Sequence, residues 1–201
     1  MNENRGAWNR VLLGGFKMCE PVRCSWCNRK NINYVNYHDR EWGRPLYEDQ
    51  KLYELLILES FQAGLSWECV LNKRENFRRA FDGFEIQRVM AYGEDKIEAL
   101  MQDPGIIRNR RKIRAAIQNS AVFRQIQQEF GSFSSYIWSF TDHRIIREEF
   151  TVRTTSPLSD AISRDLARRG MTFVGSTIIY SYLQAIGVIN GHSEDCFCNQ
   201  D

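Results

Sequence analysis

The sequence has no long hydrophobic run. Nothing in its 201 residues approaches the roughly 20 consecutive apolar positions that a membrane-spanning helix needs. The triplet Val11-Leu12-Leu13 is too short for a secretory core, and Gly14 and Gly15 end it. Residues 1–22 therefore read as a flexible N-terminal extension rather than a signal peptide. A cytoplasmic setting is expected, so the six cysteines do not read as a disulfide framework. A strong charge excess is missing too. A net charge of +2 permits a nucleic-acid partner without demanding one, and the placement of the charges has to decide. Convincing period-2 runs, internal repeats and low-complexity segments are also lacking. With 43% hydrophobic and 26% charged residues, the chain reads as a soluble globular protein able to bury a sizeable core.

What is there is helical periodicity. Leu52, Leu55, Leu56, Leu58 and Glu59 fall at helical spacing in one strong helix, and a second runs from Ser66 through Val70 and Leu71 to Phe77. Ser66 is its expected N-cap. Between the two sit Ala63 and Gly64, a joint without bulky side chains, flanked by the acid Glu59 and the indole Trp67. Further on, Phe81-Asp82-Gly83-Phe84 reads as a turn, Ile86–Tyr92 and Glu94–Met101 as short helices, and Asn109–Ile126 and Phe133–Phe140 as helices. The polar stretch 141–156, with Thr151, Thr154 and Thr155, reads as a loop. Ser156-Pro157 opens a helix to Arg169 that Gly170 closes, and a last apolar helix covers Ser176–Ile186. The reading is all-α with both chain ends irregular.

Those ends hold an unusual inventory. Cys24, Cys27 and His38 lie near one terminus, and His192, Cys196 and Cys198 near the other. Zinc favours four thiolate or imidazole ligands in a tetrahedron. His192 and Cys196 can reach one metal across a single turn, and their partners must come from the other end of the chain. Cys24 with His38 gives Cys2His2, Cys24 with Cys27 gives Cys3His, and spacing alone leaves the choice open.

A second signal joins a glycine turn to a basic helix start: Asp103-Pro104-Gly105-Ile106-Ile107-Arg108-Asn109-Arg110-Arg111-Lys112-Ile113-Arg114. Exposed N–H groups at such a turn favour a phosphate, and the neighbouring cations would neutralise others. Ile106, Ile107, Ile113 and Ile117 are expected to face the core. A charge run alone is more often a solvated face. Here it follows a glycine hairpin between two helices, which favours DNA.

Tyr34, Tyr37, Trp42 and Trp26 precede Glu59, and Trp67 follows it. Each alone is more often core, but together with an acid and a DNA-binding hairpin they suggest a pocket for an extruded, cationic base. In order along the chain, Tyr37-His38-Asp39-Arg40-Glu41-Trp42-Gly43, Leu58-Glu59, Gln62-Ala63-Gly64-Leu65-Ser66-Trp67, Gly105-Ile106-Ile107-Arg108, Trp138-Ser139-Phe140, Phe173-Val174-Gly175-Ser176-Thr177 and His192 with Cys196 resemble the 3-methyladenine DNA glycosylase I family.

The resemblance implies a helix-hairpin-helix glycosylase fold over residues 23–201 and one structural zinc on Cys24, His38, His192 and Cys196. It implies that Glu59 is the catalytic and base-contacting acid, with Tyr37, Trp67, Trp42, Tyr34 and Trp26 around the base. Gln62, Gly64, Leu65, Gly105, Arg108, Arg110 and Arg111 would meet alkylated double-stranded DNA. The expected enzyme is a monomer releasing 3-methyladenine without membrane association. Bifunctional relatives use a lysine shortly after the hairpin, and Asn109 stands at about that place, which favours simple hydrolysis.

Overall fold

The computed structural model describes residues 20–148 and 153–200. Most of the expected N-terminal extension, and Thr151 of the polar stretch, lie outside them. Val22 is anchored: the Phe197 N–H donates to its carbonyl at 3.0 Å.

Among the described residues the chain is mostly helical, and its axis is α2 (Asp49–Gln62). Every residue of α2 from Leu52 to Phe61 is buried, the mark of a helix wrapped on all sides. Packed around it are α3 (Trp67–Leu71), α7 (Arg110–Phe130), α8 (Phe133–Ser139) and α10 (Ser176–Ala185). The helix expected over Ser66–Phe77 is two, because α4 (Arg74–Ala80) begins after a break at Asn72 and Lys73. Asn72 Oδ1 accepts from the side chains of Asn31 and Asn33 at 3.0 and 3.2 Å. That bond holds the break against the start of α1 (Ile32–Arg40), a helix in the region expected to be irregular. Phe77 and Phe81 of this part pack against Phe61, with ring centroids 4.8 and 5.9 Å away.

The short α5 (Ile86–Met90) and α6 (Glu94–Gln102) lead to the glycine turn before α7. Helix α9 (Pro157–Arg168) starts as expected, with Ser156 and Ser159 forming a reciprocal capping box. Gly170, at φ +104°, lies just past its end. The all-α expectation needs one correction. Ile146–Arg147 (β1) and Ile189–Asn190 (β2) form a two-stranded parallel ladder with Ile146 opposite Ile189. Two-residue strands are too short to show alternation.

The segment between α1 and α2 is stitched to the end of α10: Gly43 N–H donates to Gln184 O at 2.9 Å and Leu46 N–H to Ile186 O at 3.0 Å. Gly187 permits this approach. It sits at φ +72°, and a Cβ there would lie 2.2 Å from the Arg44 carbonyl carbon.

Candidate active site and metal centre

Beside the C-terminal half of α2 lies a cavity of about 240 Å³. Trp26, Tyr34, Tyr37, Trp42, Glu59, Gln62 and Trp67 line it, so the five aromatics named from the sequence do converge on the acid. Tyr37 and Trp67 stand with ring centroids 5.2 Å apart, and Trp26 lies 4.8 Å from Trp42 and 5.7 Å from Tyr34. Three further lining residues escaped the sequence reading: Arg153, Ser181 and Gln184. Ser181 and Gln184 did leave a signal, two polar residues three apart on an otherwise apolar helix. Arg153, in a polar stretch, left none.

Glu59 is 2% exposed, and its Oε2 has no hydrogen-bond partner; neither has the buried indole N–H of Trp67. Each such orphan costs on the order of 1–3 kcal/mol, and a ligand offering both a donor and an acceptor would satisfy the two. Burial pushes the Glu59 carboxyl up to about 8. At neutral pH burial therefore favours its acid form. A positive ring entering beside it would draw the proton off. Burial, followed by the nearby Glu59, also holds the Tyr37 hydroxyl well above its ordinary value.

At the end of α2 the Leu65 N–H turns back onto Gln62 O at 2.6 Å. Gly64 adopts φ +79° with open space around it, and Leu65 is 43% exposed. Ser66 then caps α3, its Oγ accepting from Cys69 N–H at 3.2 Å. An apolar side chain is thus held out on a tight turn at the cavity's edge.

The glycine turn differs in detail from its expected form. The Gly105 N–H is occupied, donating to Asp103 Oδ1 at 2.7 Å. Its carbonyl accepts from Lys73 Nζ and Asn76 Nδ2 at 3.3 and 3.1 Å, pinning the turn to α4. Asn109 caps α7, accepting from Lys112 N–H at 3.1 Å. Ile106 and Ile113 are buried as expected, and Ile107 and Ile117 pack partly buried against the core. The basic run is less uniform than it looked. Arg110 pairs with Glu98 at 2.8 Å, Arg114 pairs with Glu94, and Lys112 is turned inward. Arg108 and Arg111 are exposed and have no acidic partner among the described residues.

Cys24, His38, His192 and Cys196 come together from both ends of the chain, all buried, with their ligand atoms within 4.8 Å of one another. Cys24 Sγ lies 3.3 Å from His192 Nδ1, and Cys196 Sγ lies 3.5 Å from both His38 Nε2 and His192 Nδ1. Metal–ligand bonds of about 2.0–2.3 Å in a tetrahedron would put ligand atoms roughly 3.3–3.8 Å apart, so these residues fit one metal ion. The outer nitrogens are engaged as well. His38 Nδ1 meets Asp39 Oδ1 at 2.8 Å, and Arg23 bonds the same carboxylate. His192 Nε2 meets the Trp42 carbonyl at 3.1 Å. Such partners fix the tautomer and ring orientation of metal-binding histidines. Cys27 and Cys198 are buried nearby but stand outside this set, although His38, Asp39 and Cys198 also lie close enough for a metal.

Residues 26–199 match the methyladenine glycosylase family model. The chain belongs to that family. Among curated methyladenine glycosylases it is 43% identical over 180 residues to DNA-3-methyladenine glycosylase 1 of Escherichia coli (strain K12), covering 88% of this chain and 96% of that one. A crystal structure of 3-methyladenine DNA glycosylase I superposes with a TM-score of 0.84 at 42% identity, covering 88% of this chain and 99% of the other. The family's enzyme from Staphylococcus aureus, solved for the structural basis of its 3-methyladenine recognition, matches at TM-score 0.81 and 35% identity over 84% of this chain and 92% of its own.

Proposed function

We propose that this chain is a DNA-3-methyladenine glycosylase of base-excision repair, hydrolysing the bond between N3-methylated adenine and deoxyribose and leaving an abasic site. The observation that carries the reading is a buried, unpartnered carboxyl, Glu59, in an aromatic-walled cavity able to hold one base. Methylation at N3 makes the purine cationic, so it departs as a neutral base without a strong general acid. The enzyme's task is then to select the ring and to stabilise an oxocarbenium-like sugar. Tyr37, Trp67, Trp42, Tyr34 and Trp26 wall the extruded base. Glu59, giving up its proton as the cation arrives, accepts from the exocyclic amine, and the Trp67 N–H donates to a bare ring nitrogen. Unmodified adenine carries no charge to deprotonate Glu59, and that difference is selectivity.

Residues 103–114 serve as a helix-hairpin-helix element gripping the phosphates through Arg108, Arg110 and Arg111, with Gly105 shaping the turn that brings them to the DNA. Gln62, Gly64 and Leu65 press into the gap that the base leaves. One structural zinc sits on Cys24, His38, His192 and Cys196. It supplies no step of the hydrolysis and fastens the chain ends. The described helices include none long and apolar enough to cross a membrane, and we take the enzyme to act as a monomer on duplex DNA.

Release of bases from methylated duplex DNA, resolved by base, tests the reading. Wild type should free 3-methyladenine, and Glu59→Gln should lose most of that activity while binding duplex DNA almost as well. A zinc-stabilised DNA-binding module without catalysis would bind the duplex and release no base, so absence of release by wild type would favour that rival, whereas release by E59Q at the wild-type rate would remove Glu59 from the chemistry. A glycosylase that also cleaves the strand would need a free amine near the sugar. Asn109 supplies none, and Lys112 Nζ is held by two backbone carbonyls at 2.8 and 2.6 Å. Borohydride should trap no covalent enzyme–DNA adduct.

A further inference from the structure

Lys112 stands in the first turn of α7, in the middle of the basic run, yet it is only 6% exposed. Its Nζ donates to Phe61 O at 2.8 Å and to Ala63 O at 2.6 Å. Those carbonyls belong to the last turn of α2 and the residue just beyond it, where a helix leaves acceptors without partners and a cation is favoured. They bracket Gln62, which lines the cavity. The same ammonium lies 6.0 Å from the centroid of Phe173, whose carbonyl accepts from Ser60 Oγ at 3.1 Å. Burial lowers the Lys112 pKa from its ordinary value, which weighs against a side chain evolved simply to lie in solvent as a phosphate ligand. Asn109 fixes the Lys112 backbone at the end of the hairpin. One side chain therefore joins the hairpin helix rigidly to the turn that carries Gln62, Gly64 and Leu65.

We infer that Lys112 is a positioning residue that couples the hairpin's hold on the phosphates to insertion of the Gln62–Leu65 turn into the DNA stack. This rests on the reading of that turn as the DNA-inserting element. Without the clamp the hairpin would still bind the backbone and the cavity would still accept a free base. What would suffer is the registration of one against the other while the base is being extruded.

The test compares Lys112→Met, which keeps the stem and removes the ammonium, with Lys112→Gln, which retains a neutral donor, and with Leu65→Ala. Three quantities are read: single-turnover release of 3-methyladenine from methylated duplex, the salt dependence of duplex binding, and quenching of tryptophan fluorescence by free 3-methyladenine. K112M should slow release at least tenfold, with K112Q in between. The salt slope should be unchanged and the affinity for free base should stay within twofold. A slope reduced by about one unit would make Lys112 a phosphate ligand and overturn the inference; so would an unchanged release rate, or a loss of free-base affinity that tracks the loss of rate. Should K112M fail to fold, K112Q carries the same comparison. If L65A is slow while the Lys112 variants are not, the clamp fails and the inserting turn stands. If L65A releases base at the wild-type rate, the inserting turn fails and the clamp with it.

Discussion

Glu59 controls two pH dependences of opposite sense. Its carboxyl is held at about 8 in the folded chain against an ordinary 4.5. Between those values the native state keeps a proton that the unfolded state has lost, so stability falls as pH rises through the window. At about 1.4 kcal/mol per unit the whole effect amounts to at most about 5 kcal/mol. Chemical denaturation of wild type from pH 5 to 8 should show this decline, and E59Q should be flatter by the same amount. Activity should move the other way. If the carboxylate is the form that holds the cation, kcat/KM on methylated DNA rises with pH and levels off above about 8; a profile flat across neutral pH would refute that. Trp67→Phe tests the other orphan. It removes a buried N–H without a hydrogen-bond partner, so stability should hold or rise. Affinity for 3-methyladenine, read by calorimetry, should fall about tenfold, roughly 1.4 kcal/mol. Glu59 and Trp67 were legible in the sequence because both flank a joint that no bulky side chain fills. Arg153 was not, because its place in the cavity comes from tertiary packing.

Elements with their own periodicity and caps were legible: α2, the Ser156-Pro157 start of α9, and the helix after Asn109. Elements that lean on distant partners were not. Helix α1 is short and polar, and it is held by Asn72 and by the place of His38 in the cysteine–histidine cluster. The break between α3 and α4 depends on the same asparagine, and the two strands exist only through each other. The hairpin shows how a composition signal misleads within an element correctly found. Five of the seven residues from Arg108 to Arg114 are basic, but α6 supplies acids for two of them and α2 takes up a third. Arg108→Ala and Arg111→Ala should each lower the slope of log affinity against log salt by about 0.9. Arg110→Ala should lower it by less, because part of its charge is already answered by Glu98. Filter binding across a salt series measures all three. Equal slopes for R110A and R108A would mean that the ion pair opens when DNA binds.

At the scale of the whole molecule, the four candidate metal ligands do more than fasten two tails. The His192 ring stands 4.6 Å from Trp42 and bonds its carbonyl, and His38 lies 5.2 Å from Trp26. Trp26 and Trp42 form one wall of the cavity, so the cluster packs directly against that wall. Burial pushes the Cys24 thiol up to about 11, which without a metal keeps it protonated beside the imidazoles. A divalent zinc would stabilise the thiolates instead, and its binding energy would become folding energy. Stripping the metal with a strong chelator, or introducing Cys196→Ser, should therefore lower the melting temperature by many degrees. It should also change the near-ultraviolet circular dichroism of the tryptophans and weaken binding of free 3-methyladenine, although no proposed metal ligand touches the base. The readouts separate two cases. A melting temperature that falls while base affinity holds would make the cluster a remote tie. A joint loss makes it part of the wall, which is the outcome expected from the shared carbonyl and ring contacts. Protein that contains no metal and keeps its melting temperature in chelator would remove zinc from the account altogether.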